Sequence, residues 1–271
     1  MVLLKTVVAQ ASFIAALMFY LGAIYTSEYF GYFHLSFYSL DFSFAELVLQ
    51  SLQLLKYQFL VAAVLILIVV AAGPQLSRLL SWSSRRAHTR PAASTPLAWL
   101  STAITAAGLL LLIFWSEIQP YAWTAPLTIA AGLLLGQSRN VRGNPPDGLR
   151  RRAVVVFASG VFLFWALTQA TQQFGEEDAK AHAADVVDWT SVVVLSSKPL
   201  SLPPPGVQEE KLPRENLLLP YRYTGLRLLL ERHGRYYVVP ADWKAKTDAV
   251  YVIQESNDLW IALRPGTQPA S

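Results

Sequence analysis

RRRAVVVFASGVFLFWALTQATQQFGEEDAK, residues 150–180, is where the chain changes character. Arg150, Arg151 and Arg152 precede an apolar run, 153–170, that holds no ionisable side chain; Glu176, Glu177, Asp178 and Lys180 come soon after. An apolar helix of about 20 residues matches the hydrocarbon thickness of a bilayer. Arginines gathered at one end of it resist transfer across the membrane. The run therefore reads as a transmembrane helix entered from the cytoplasm, and the chain beyond it as water-soluble and outside.

Composition on either side agrees. Of 271 residues, 54% are hydrophobic and only 15% charged, against roughly 25% charged in a soluble domain. Residues 1–171 hold 11 Lys/Arg and 5 Asp/Glu, whereas 172–271 hold 11 and 13. The net charge of +4 thus divides into +6 and −2. No basic helix or arm accompanies the pI of 9.3, so no nucleic-acid partner is expected. The chain has no cysteine, which removes disulfide scaffolds, thiolate catalysis and Cys-ligated zinc.

Four more apolar runs precede the one at 153–170, at 7–25, 57–72, 97–115 and 121–136. Lys5 precedes the first, but no small-x-small cleavage site closes it and Phe19, Tyr20 and Tyr25 crowd its end, so it reads as a retained span. The run at 121–136 is short and contains Pro126; the arginines decide its role. Arg78, Arg85, Arg86 and Arg90 lie between runs two and three, and Arg139, Arg142 and Arg150 to Arg152 between four and five. The other two links carry Lys56 beside Glu28, Asp41 and Glu46, and a lone Glu117. Five spans with the N-terminus inside put both arginine-rich loops in the cytoplasm.

The runs contain no Asp, Glu, Lys, Arg or His, whereas ion- and proton-coupled carriers keep such groups in their spans. Their polar members are Gln10, Ser12, Ser101, Thr102, Thr105, Thr124, Thr128, Ser159, Thr168 and Gln169. With Ala103, Ala106, Ala107, Gly108, Ala130, Ala131 and Gly132 nearby, these read as helix-packing residues.

Residues 25–44 hold nine aromatics. Such density suits an interfacial belt; it also suits a binding surface made of Tyr29, Tyr32, His34, Asp41 and Glu46. Phe44, Leu47, Val48, Ser51, Leu52 and Leu55 come next at helical spacing, with Asp41 or Ser43 as a candidate cap.

Tyr29-Phe30-Gly31, then Leu40-Asp41-Phe42-Ser43 and Glu46, resemble the first outer loop of uncharacterised actinobacterial multi-span membrane proteins. The block from Tyr223 to Leu230, the HGRYYVVP block at 233–240 and Trp243 resemble the C-terminal end of the same proteins. The resemblance implies a multi-span architecture with a β-rich tail, and no activity.

Within the tail, 172–190 reads as a juxtamembrane helix and linker. His182, Asp185 and Asp188 are spaced along one helix side, a geometry that could hold a divalent cation but is commoner as a solvated face. The β-branched run 191–195 predicts a strand, and Pro203 to Pro205 a stiff link. Two hairpins are predicted: 226–231 with 235–239 about His233-Gly234, and 250–254 with 259–263 about 256–258. Five short strands suggest a small β-sandwich or partly open barrel.

No nucleophile elbow, HExxH, phosphate loop or EF-hand occurs. The sequence thus predicts a five-span α-helical membrane domain (1–171), a linker (172–190) and a mostly-β extracytoplasmic domain (191–271). The expected protein is non-enzymatic, with no cofactor or metal, partnered by the lipid bilayer and a further protein. The other class it admits is a subunit of a transporter or channel complex.

Overall fold

The computed structural model describes residues 2–52, 96–119, 121–137, 147–202, 206–213 and 217–266. The expected second span, Arg78, Arg85, Arg86, Arg90, Arg139, Arg142 and Pro203 to Pro205 lie outside the described residues. A helical N-terminal part is followed by an antiparallel β-sheet region. The described helices are α1 (Val2–Tyr32), α2 (Phe44–Ser51), α3 (Pro96–Ile113), α4 (Thr124–Gln137) and α5 (Asp147–Ala184). Two are long and apolar enough to cross a membrane, over Leu4–Tyr32 and Ala153–Ala184; Ser101–Ile113 and Thr124–Gly136 are shorter apolar helices. The run at 153–170 and the start of the expected linker form one helix of 38 residues, about 57 Å long. Nothing at 171–175 stops it, since Thr-Gln-Gln-Phe-Gly contains no proline and its one glycine only weakens a helix.

Contacts divide the chain into two units, one of 1–25 with 44–174 and one of 26–43 with 175–271. In the first, α3 and α4 form a helical hairpin closed by small residues. A Cβ on Gly108 would meet Thr128 and Ile129, one on Gly132 would meet Thr105, and one on Gly136 would touch Ser101. Ala103, Ala106 and Ala107, expected at this seam, are exposed instead. Gly22 lets α1 meet the backbone of α2 at Leu47. Phe19 stacks on Phe44 at 4.9 Å, and Trp115 on Trp165 at 5.6 Å.

Among the described residues the second unit carries one sheet of six strands: β1 (Ser191–Ser196), β2 (Gln208–Lys211), β3 (Tyr221–Arg232), β4 (Arg235–Pro240), β5 (Tyr251–Gln254) and β6 (Leu259–Arg264). Their order is β5-β4-β3-β1-β6, with β2 beside the first half of β3. The predicted β3–β4 hairpin is present, with His233 and Gly234 both at positive φ in its turn. The predicted second hairpin is not. β5 pairs with β4, and β6 pairs with β1 at the other end of the order. One sheet also replaces the two of a sandwich.

That topology requires the sheet to curl. A flat sheet would hold β5 and β6 about 19 Å apart laterally. The link 255–258 reaches about 18 Å when fully extended, and it is folded into a turn in which Leu259 N–H donates to Ser256 O at 3.1 Å. The curled inner face buries Val192, Val194, Tyr223, Leu226, Val238 and Ile253, with Leu200, Leu202, Val207, Leu259 and Ile261 packed around them. Leu200 N–H donates to the Tyr223 hydroxyl at 2.7 Å, tying the segment after β1 to this core.

β4 is buried on its outer face as well. Val239 lies with Phe33, Ala179, Val186, Trp189 and Trp243, and Tyr237 with Phe30 and Leu40. Both faces of the strand are covered, which is why Tyr236 to Val239 is an unbroken apolar run rather than an alternating one.

Candidate partner-binding surface

Tyr29, Tyr32, His34 and Asp41 belong to the unit that holds the sheet, and Glu46 to the helical unit. Tyr29, Phe30 and Gly31, resembling a turn by sequence, are the last helical residues of α1 together with Tyr32. The helix stops just beyond. Leu35 N–H donates to Phe30 O and His34 N–H to Gly31 O, both at 3.0 Å, and His34 takes φ 60°. These are the paired bonds of a Schellman ending, in which a left-handed residue satisfies the last carbonyls of the helix.

The side chains then reach far along the chain. Tyr29 hydroxyl bonds His182 Nδ1, and the His182 ring lies 4.4 Å from that of Trp189. Tyr32 meets Trp243 edge-on at 6.2 Å. His34 Nε2 donates to Ala245 O at 2.5 Å. Asp41 O accepts from Arg232 at 2.8 Å, and the same guanidinium lies 4.2 Å over the Phe42 ring. Phe33, between Trp189 and Trp243, is fully buried.

These contacts brace 26–43 against the sheet and against residues 175–189. Their polar atoms are spent largely inside the unit, leaving Tyr38 and Asp41 exposed to water. His182, Trp189, Arg232, Trp243 and Ala245 are the partners that sequence reasoning did not join to this loop. No local spacing could have joined them, because the hydrogen-bonded pairs are 153, 191 and 211 residues apart.

His182, Asp185 and Asp188 do not share a helix face, since α5 ends at Ala184 and a short 3-10 turn, Val186–Asp188, comes next. Among the described residues, no group of three His, Cys, Asp or Glu is placed to hold a metal ion. On the other side of Trp243, Asp248 closes a tight turn. Its carboxylate accepts from Thr247 Oγ1 at 2.7 Å and from Lys244 N–H at 2.8 Å. Those bonds hold its pKa below the ordinary carboxylate value, the Thr247 hydroxyl contributing most.

Fold and surface together define a chain with long apolar helices that carries a braced, curled β-sheet module. Comparison with family models, with curated proteins and with solved structures finds no match.

Proposed function

We propose that the chain is a non-enzymatic integral membrane protein of the cell membrane. In this reading five spans, N-terminus inside, anchor an extracytoplasmic β-module that binds a protein partner at the cell surface or in the membrane. The observation that carries it is the module itself. Its sheet encloses an inner core, and β4 is covered on its outer face by residues from both 26–43 and 175–189. A unit braced in this way suits display and binding.

The second reading, a subunit of a transporter or channel complex, rests on the polar residues of the helical part. Their hydroxyls count against it. Thr105, Thr128, Ser159 and Thr168 donate to the carbonyls of Ser101, Thr124, Val155 and Phe164 one turn back, at 2.8–3.0 Å. A hydroxyl that donates to its own helix has spent its proton and offers a solute only an acceptor.

Topology is tested by single cysteines in this cysteine-free chain. Ser84→Cys should label from the cytoplasmic side of the membrane and Ser256→Cys from the outside of intact cells. Labelling of both from one side rejects the arrangement. Solute flux through the reconstituted chain alone would overturn the anchoring role.

A further inference from the structure

The outer face of β1, β3 and β6 is unlike the outer face of β4. Cross-strand register lines up two rows of side chains on it. One runs Glu210, Arg222, Leu195, Trp260; the other runs Val239, Arg227, Ser191, Arg264. Val193 and Ala262 form the row between. The inward neighbours Val192 and Val194 belong to the core, so Ser191, Val193 and Leu195 point outward. The two rows hold three arginines and one acidic residue, Glu210, which pairs with Arg222 at 3.5 Å.

Arg227 and Arg264 flank Ser191 from its two neighbouring strands, and no ion pair to either occurs among the described residues. Arg227 Nε is buried without a hydrogen-bond partner. Like charges brought together across strands destabilise a sheet, so an anion seated over Ser191 would be favoured by both guanidinium groups and by the serine hydroxyl. On the same face Trp260 is 59% exposed, four residues from Arg264 along β6, or about 13 Å. An exposed tryptophan on the terminal strand β6, beside the smaller Leu195 and Ala262, offers a platform for a flat ring.

We infer that this face binds an anionic polysaccharide, a sugar ring stacking on Trp260 and a carboxylate or phosphate of the same polymer held by Arg227 and Arg264. The guanidinium fork matches those anions in two parallel bonds. A lipid surface fits the face less well, because bilayer-seated elements project a continuous apolar side, whereas here Val193 between the rows is buried, Trp260 alone of the large apolar side chains in the two rows is exposed, and three arginines share the face. The inference rests on the extracytoplasmic placement proposed above, where such polymers occur.

The test uses the full-length protein in zwitterionic nanodiscs and immobilised polygalacturonate, with neutral dextran, polyphosphate and phosphatidylglycerol vesicles as comparisons. Expected are retention on polygalacturonate that weakens with salt, none on dextran, and a roughly ten-fold loss of affinity for Trp260→Ala and for Arg264→Ala. Both side chains are exposed, so the melting temperature should hold, and Trp260→Phe should keep most of the binding. No retention, retention unchanged in both variants, equal retention on polyphosphate with no effect of Trp260→Ala, or binding to the vesicles alone would each overturn the inference. External labelling of Ser256→Cys without polysaccharide binding removes this inference and leaves the membrane anchor standing. Internal labelling removes both.

Discussion

Among single residues, the aromatic loop is held by a few polar contacts that each reach a distant part of the chain. Arg232 is the clearest. It donates to Asp41 O and lies over Phe42, a charge-assisted bond and a cation–π contact together worth about 1–3 kcal/mol. Arg232→Ala should lower the stability of the β-module by that amount, measured by denaturant melts followed through tryptophan emission. Asp248 yields a pH dependence. Its folded pKa is depressed by the Thr247 and Lys244 bonds, so the charged form is preferred in the native state. The resulting stabilisation is full above the unfolded carboxylate value of about 3.9 and is lost as pH falls through the lower folded one. Asp248→Asn should remove this acid-side slope of the melting temperature; an identical slope in the variant would reject the assignment. His34, by contrast, was legible only as a polar member of an aromatic stretch. That it would end helix α1 in a left-handed conformation was not, because that position favours glycine and a histidine there is unexpected.

Elements were more legible than residues. Both long apolar helices and all but one of the strands follow from hydropathy run and β-branched pattern. The exception is β2, whose Gln208–Lys211 sequence is exposed throughout and has no alternation to detect. Where helices touch is decided by glycines whose roles only the contacts separate. A Cβ on Gly132 would collide with the Thr105 side chain and backbone, whereas one on Gly160 meets nothing. Gly132→Ala should therefore destabilise the helical part by about 1–3 kcal/mol, and Gly160→Ala should be neutral or stabilise it by up to about 1 kcal/mol. Thermal unfolding in detergent distinguishes the two. Equal effects would mean that the α3–α4 seam is not set by Gly132.

Across the molecule, residues 26–43 and 175–271 form one unit although more than 130 residues separate them in the chain. Phe30, Phe33 and Leu40 are buried in it, and burying such side chains is worth about 1.5–3 kcal/mol each. A fragment of 175–271 alone should leave Tyr237 without Phe30 and Leu40, and Val239 without Phe33. It should bind a hydrophobic dye and melt earlier than the same fragment fused to 26–43. Equal stability of the two would show that the brace is dispensable. Hydropathy, charge and local propensity act over a few neighbouring positions, so the places of the apolar runs, the arginine clusters and the strand-forming residues are written in the chain itself. Tertiary packing alone put β5 and β6 at opposite ends of one curled sheet, joined the first loop to the tail, and placed Trp260 on one sheet face with three arginines. Pairing between strands, and packing between segments far apart in the chain, is settled by burying apolar surface in three dimensions, and no spacing along the chain encodes which distant surface provides the cover.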